Sequence, residues 1–379
     1  MTIRICHVTS TSKHHLPRVV KECRSAAHAG LTAYVVCQGE SSIEDGVDYI
    51  GVPPARSRVD RMMRTRRALI QKALEIDADI YQIHSPELLP YAVSLRNLGK
   101  IVIFDSHEFY GLQIMEKEYI PRSLRGLVAA LYMKYEAHVN KSIDATIEVC
   151  TVSGQDYFEG RCRKRIFISN AVDLNEFSPQ GTAPFDKRGS VAYIGNLSLG
   201  RGITSLVKGM ARTKARLILA GSFSPVSYEN ELMRMPEYSC VDYRGFLKRE
   251  HLAEVLGDCF AGISTILHVG QYSRVDTIAT KVYEYMAMGL PVIISDTPYA
   301  QKLVEQYKFG IAVDPSSPEE IAQAVRFLQE NPALAHELGM NGRRAVQEAF
   351  NWGIEEEKLL GLYRELTASG GPALDSSVR

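Results

Sequence analysis

The sequence lacks any C-x-x-C pair, any run of about eighteen apolar residues, and any excess of one charge sign. Its seven cysteines are an odd number, scattered at Cys6, Cys23, Cys37, Cys150, Cys162, Cys240 and Cys259. They read as reduced, mostly buried thiols of a cytoplasmic protein. Without a long apolar run, no helix is expected to span a membrane. The opening MTIRICHVTS reads as a strand and not as a signal peptide. Lys and Arg total 44, equal to Asp and Glu, so bulk nucleic-acid binding and a disordered chain are both excluded as readings. No internal sequence repeat is visible.

What is present is alternation. Strand-like apolar runs fall at 3–8, 33–37, 80–84, 101–105, 145–150 and 166–169, and again at 191–195, 217–221, 241–244, 261–264, 292–295 and 310–313. Helical periods lie between them, for example at 18–29, 58–75, 123–140, 252–257 and 317–329. Such alternation predicts parallel sheets covered on both faces. Twelve strands exceed one small sheet, so two Rossmann-like, doubly wound domains are expected, 1–171 and 172–351. The string NAVDLNEFSP, followed by polar residues, supplies the turn and linker signals at that boundary. Residues 369–379 read as a loose tail.

The densest chemistry lies between Asp276 and Asp296. A helix beginning at Thr280 and Lys281 would turn free N–H groups and the positive end of its dipole toward a phosphate, and Lys281 would add a full charge. Glu284, one turn in, could accept two hydrogen bonds from a sugar diol. A diphosphate and a ribose would fit. The plain alternative is a surface pair between Lys281 and Glu284, worth a few tenths of a kcal/mol, with Tyr283, Met286, Ala287 and Leu290 in the core. The whole string together favours the nucleotide-sugar site.

Ligands of open α/β sheets bind beyond the carboxyl ends of the strands. Asp77-Ala-Asp79, a D-x-D string, precedes its strand and sits at the wrong end. No other cluster has metal-ligand spacing, so no metal is expected. Three first-half turns do sit at carboxyl ends. One carries His14, His15 and, after Pro17, Arg18, each a candidate contact to acceptor or donor. The second begins at His84, and the third is Asp105-Ser-His107-Glu108. In the second half, Gly195-Asn196 and Gly200-Arg201-Gly202 form a strand-to-helix turn, where Arg201 could grip a diphosphate by two parallel bonds.

KVYEYMAMGLPVIISD resembles the C-terminal domain of the retaining, family-four type of glycosyltransferase with the GT-B fold. HSPELLP and DSHEFY add a resemblance to its bacterial polysaccharide branch. The resemblance implies two domains facing a central cleft, with a last helix near 352–368 packing back on the first. Glu284 matches the second acid of the family's E-x7-E motif, and Asp276 stands where the first Glu is usual. Asn196 stands where an Arg is usual, and Lys281 is our candidate for the missing charge. Residues 243–247 resemble the base-binding turn, which assigns Phe246 and Leu247 to the base. The resemblance further implies retention of configuration, no covalent intermediate, and no cofactor beyond the nucleoside diphosphate sugar, with UDP expected. His107 and Asp276 would then hold sugar hydroxyls, Glu284 the ribose, and Arg201 and Lys281 the leaving phosphate.

The acceptor is expected to be a glycan or lipid-linked hydroxyl, in cell-surface polysaccharide assembly. Arg56, Arg58, Arg61, Arg64, Arg66 and Arg67, interleaved with Val59, Met62 and Met63, suit either an anionic membrane surface at the inner face or a phosphorylated acceptor. The segment 124–135 reads first as a core helix and second as an apolar membrane-dipping face. Two rival functions remain: a nucleotide-sugar epimerase of the same architecture, or a degenerate, binding-only transferase.

Overall fold

The computed structural model describes residues 2–12, 16–117, 119–179 and 184–368. The candidates His14 and His15 and the tail 369–379 lie outside these. The chain forms two compact units, one ending at Asn170 and resuming at Glu355, the other Ala171–Ile354.

The first unit carries β1 (Arg4–Ser12), β2 (Thr32–Gln38), β3 (Ser42–Glu44), β4 (Val47–Val52), β5 (Ile80–Ile83), β6 (Ile101–Ser106), β7 (Ala145–Glu148) and β8 (Arg165–Phe167). They form one sheet in the order β3-β4-β2-β1-β5-β6-β7-β8. All pairs are parallel except β3 with β4. That hairpin was absent from the sequence reading. Its turn is Asp45-Gly46, both at positive φ (52° and 75°), the conformation a tight hairpin turn demands. The strands β5, β6 and β7 are buried along their whole length, apolar for the most part but with Gln82, Asp105, Thr146 and Glu148 buried among them. From Glu355 onward the last helix (Trp352–Ala368) packs within this unit, with Leu359, Leu362 and Tyr363 buried.

The second unit carries β9 (Ser190–Ile194), β10 (Arg216–Ala220), β11 (Val241–Gly245), β12 (Cys259–Ser264), β13 (Val292–Ser295) and β14 (Gly310–Val313) in the all-parallel order β11-β10-β9-β12-β13-β14. The helix Thr280–Ala287 lies flat on this sheet. Tyr285, fully buried, accepts a hydrogen bond from the Ile194 N–H at 2.9 Å. A side chain at Gly262 on β12 would meet the Tyr285 ring at 2.2 Å, so the missing Cβ there lets the helix seat. Seating fixes where its N-terminus opens.

One expectation is overturned in the first unit. The helix Arg125–Ser142 is not a core helix over its first turns. It buries a narrow stripe of Ala129, Glu136, Val139 and Asn140, and Leu127 and Leu131 are each 60 % exposed.

Candidate functional site

The second unit gathers its chemistry at the carboxyl ends of β9, β10 and β11. Gly195, Gly221 and Gly245 stand there side by side, with Gly195 N–H donating to Ala220 O and Gly221 N–H to Gly245 O, both at 2.8 Å. All three have positive φ. The result is a shelf without side chains, part-exposed at Gly195 and Gly245 with Gly221 buried between them. Asn196 continues the shelf with its side chain exposed, and its carbonyl accepts from Tyr193 Oη at 3.1 Å.

Lys281 enters from the helix Thr280–Ala287. Its Nζ stands 3.5 Å from the centre of the Tyr193 ring. It also borders Gly195, where an added Cβ would meet it at 3.1 Å. The residue as a whole is half-buried, but its ammonium end is enclosed. That burial, and then the nearby Arg201, pushes Lys281 well below the usual lysine range. Arg201 ends a short turn (Leu199–Arg201), closed by Gly202 in the left-handed region. Its guanidinium stacks 4.7 Å over Tyr272 and donates to Tyr272 Oη at 3.2 Å. Among the described residues neither Lys281 nor Arg201 has an ion-pair partner. The helix has no side-chain cap, and Thr280 opens it. Two basic side chains without carboxylate partners, an uncapped helix start and a bare shelf together suit an anion of at least two charges.

Glu284 is buried one turn into that helix. The expectation of a carboxylate wholly available to a diol needs correcting. Its Oε1 accepts from Arg249 Nη1 at 2.8 Å. Arg249 also pairs with Glu176 and stacks 5.1 Å over Phe177. Burial opposes its charge, but Glu284 and Glu176 raise its pKa above the ordinary value. Among the described residues the second oxygen of Glu284 has no hydrogen-bond partner. The sequence reading missed Arg249 because its partners lie 35 and 73 positions away. Asp276 is half-buried in the loop before the helix. Phe246 projects from the end of β11 at 61 % exposure, while Leu247 turns inward onto the core.

The first unit holds a separate buried polar cluster. On β1 and at the ends of β5 and β6, three imidazoles form a column. His7 Nδ1 lies 2.8 Å from His84 Nε2, and His84 Nδ1 lies 2.9 Å from His107 Nε2. Only His107 reaches the surface, with a 27 % exposed side chain. Arg18 does not face a ligand as anticipated. It is buried in ion pairs with Glu22 at 2.9 Å and Asp105 at 3.2 Å, and donates to the carbonyls of Ile168 and Ser169. The anticipated contact role of His84 is likewise corrected: it lies inside, between two other histidines.

The charges follow from this packing. Burial opposes ionisation of Asp105, but the Arg18 guanidinium holds its carboxyl well below the carboxylate range. Burial, reinforced by Asp105, raises Glu22 well above it. Burial also lowers His7 to about 3 and His84 well below its ordinary value, so both are neutral. His84, Asp105 and His107 stand close enough to take a cation. Arg18 nevertheless engages both oxygens of Asp105 at 3.2 Å, and Gln82 donates to one of them at 3.1 Å.

Residues 175–345 match the model of the family described as glycosyl transferases group 1. The match lies within the second unit and spans less than half of the chain. Among curated relatives, an alpha-D-kanosaminyltransferase of Streptomyces kanamyceticus is 24 % identical over 190 residues, 48 % of this chain and 47 % of that protein. The chain thus spans about half the length of that relative. Among solved structures, sucrose-phosphate synthase from Thermosynechococcus elongatus superposes with a TM-score of 0.75 at 18 % identity, covering 97 % of this chain and 100 % of that one. The Anabaena HepE structure in complex with UDP and glucose gives 0.71 at 14 % identity, covering 96 % and 100 %. These likenesses establish the fold, two parallel-sheet α/β units of the GT-B class. Within the matched residues 175–345 lie Gly195, Arg201, Phe246, Arg249, Asp276, Lys281 and Glu284. His107 and its column lie outside it.

Proposed function

We propose that the protein transfers a sugar from a nucleoside diphosphate sugar, preferably a UDP-sugar, to a hydroxyl acceptor. Configuration at the anomeric carbon is retained, and no metal ion takes part. The observation that carries this reading is the pair Lys281 and Arg201, two basic side chains without carboxylate partners among the described residues, beside the Gly195 shelf and an uncapped helix start.

As the anomeric bond breaks, negative charge grows on the departing phosphate oxygen. Lys281, Arg201 and the N–H groups at Thr280 stabilise it from fixed positions, which is where electrostatic catalysis gains most. The backbone at Gly195 and Asn196 lets the diphosphate approach. The free oxygen of Glu284 accepts from the ribose. The exposed Phe246, with the Leu247 backbone, flanks the base. Asp276 and His107 hold hydroxyls of the transferred sugar. The HepE complex with UDP and glucose supports a uridine donor by analogy of fold.

For the acceptor, the basic segment supports a lipid-linked molecule at an anionic membrane surface, in cell-surface polysaccharide assembly. Val59, Met62 and Met63 are exposed among Arg58, Arg64 and Arg67. Arg58 stacks 4.6 Å over the exposed Tyr119. No helix among the described residues is long and apolar enough to cross a membrane. The test is release of UDP from a panel of UDP-sugars, with membrane extract as acceptor and a chelator present, and proton NMR of the first-formed anomer. Release with an α-product from an α-linked donor is expected. A β-product or loss of activity with chelator would overturn retention or metal independence. No release from any nucleotide sugar would overturn the transfer itself.

A further inference from the structure

The imidazole column of the first unit has a direction, and the direction decides what His107 can do. A neutral imidazole carries one N–H and one lone pair. His7 and His84 are buried and neutral. Two hydrogen-bonded neighbours in a row must therefore point the same way. If the column points inward, His107 Nε2–H donates to His84, His84 Nε2–H donates to His7, and His7 keeps its proton on Nε2. If it points outward, His7 Nδ1–H donates to His84 Nε2, His84 Nδ1–H donates to His107 Nε2, and the last proton sits on His107 Nδ1.

The buried end decides between them. Among the described residues His7 Nε2 is enclosed and has no hydrogen-bond partner. Inward polarity would leave a donor N–H stranded there. Outward polarity leaves only a lone pair, and buried orphan N–H groups are the rarer of the two. Asp105 Oδ2 lies 3.4 Å from His84 Nδ1 and 3.5 Å from His107 Nε2, so it serves either direction equally and the orphan nitrogen of His7 carries the choice.

We propose that His7 and His84 are positioning residues that fix His107 as the Nδ1–H tautomer, a hydrogen-bond donor toward an oxygen of the bound sugar and not a proton acceptor. The sugar-facing role rests on the function proposed above; the column's polarity does not. Gln82, Glu22 and Arg18 complete the setting. Gln82 Nε2 donates to Glu22 at 2.9 Å and to Asp105 at 3.1 Å, and Tyr363 Oη donates to Gln82 Oε1 at 2.6 Å. With Arg18 on both oxygens of Asp105, a dication among His84, Asp105 and His107 would face that guanidinium, which favours the hydrogen-bonded column over a metal centre.

The test is long-range nitrogen–proton correlation NMR of the protein with 15N-labelled histidine at pH 7.5, His107 being assigned from His107→Gln. His107 is expected as the Nδ1–H tautomer, and as Nε2–H in His84→Phe, where Asp105 becomes the acceptor nearest its inner nitrogen. The wild-type spectrum alone decides the polarity if His84→Phe does not fold. In turnover, His84→Phe is expected to lower kcat about tenfold, the worth of one neutral hydrogen bond. An Nε2–H or doubly protonated His107 in the wild type, or a stoichiometric divalent metal by elemental analysis, would overturn the proposal. An Nδ1–H His107 whose removal leaves transfer unchanged would keep the polarity and overturn the sugar-facing role.

Discussion

The ammonium of Lys281 sits 3.5 Å above the centre of the Tyr193 ring, beside the backbone of Gly195. The ring face gives the charge a partner worth about 0.5–2 kcal/mol without neutralising it. A lysine held this way is ready for an anion but poorly solvated until one arrives.

That arrangement predicts proton uptake on ligand binding. In the free protein, burial and then Arg201 disfavour the charged form of Lys281. A bound diphosphate favours it. Where the free lysine is neutral, binding must take up a proton, and affinity falls as pH rises through the lysine pKa of the complex. Calorimetry of UDP binding in two buffers of different ionisation enthalpy measures the uptake. Lys281→Met should abolish it and weaken UDP by about 10- to 100-fold, as expected for a charge-assisted hydrogen bond.

Glu284 has one oxygen occupied by Arg249. The remaining oxygen can accept one strong bond from the ribose, so one of the 2′- and 3′-deoxy forms of UDP should bind much more weakly than the other. Glu284→Ala should cost about 1.5–3 kcal/mol in UDP affinity and erase the difference between the two deoxy forms. Equal losses for both deoxy nucleotides on the unaltered protein would show that the carboxylate grips the whole diol.

The glycine shelf admits no side chain at Gly221. A Cβ there would lie 1.8 Å from the Gly195 carbonyl oxygen, at a φ of +144°. Gly221→Ala should therefore lower stability by at least about 2 kcal/mol, visible as a lower Tm, and should weaken UDP even at temperatures where the protein stays folded. Gly361→Ala is the control, because nothing lies within 4 Å of a Cβ added at that position.

The basic and apolar face of the first unit should hold the protein on vesicles containing anionic lipid and not on neutral ones. Each basic residue near such a surface is worth about 1 kcal/mol. Replacing Arg58, Arg64 and Arg67 by Gln should weaken vesicle binding by about 100-fold, with salt mimicking the loss. Sedimentation with vesicles measures this. Equal binding to neutral vesicles would point to the exposed leucines of the helix Arg125–Ser142 instead.

Local pattern carried most of the strand reading, because parallel strands buried on both faces leave long apolar runs such as 101–105 and 292–295. The short hairpin Ser42–Val52 was missed although Asp45-Gly46 signals it, because β3 is three residues long and exposed at the sheet edge and β4 is only part-buried. The segment at Lys281 and Glu284 was legible because its chemistry lies within a few residues. What supports it was not. Tyr193, Tyr272 and Arg249 reach it across the fold, and their types alone read as core or surface. His7 was invisible for a related reason. It lies in the middle of a strand, and its partners come from β5 and β6, joined only by parallel pairing.

The most direct test of the account is a thermal-shift panel of the full chain with UDP, GDP, ADP and CMP, each with and without EDTA. A ligand at about 100 times its dissociation constant stabilises by about 2.7 kcal/mol. The predicted result is a rise in Tm with UDP above the other nucleotides, unchanged by EDTA and lost in Lys281→Met and Glu284→Ala. No shift with any nucleotide, or a shift that survives both substitutions, would contradict a donor site at Lys281, Arg201 and Glu284.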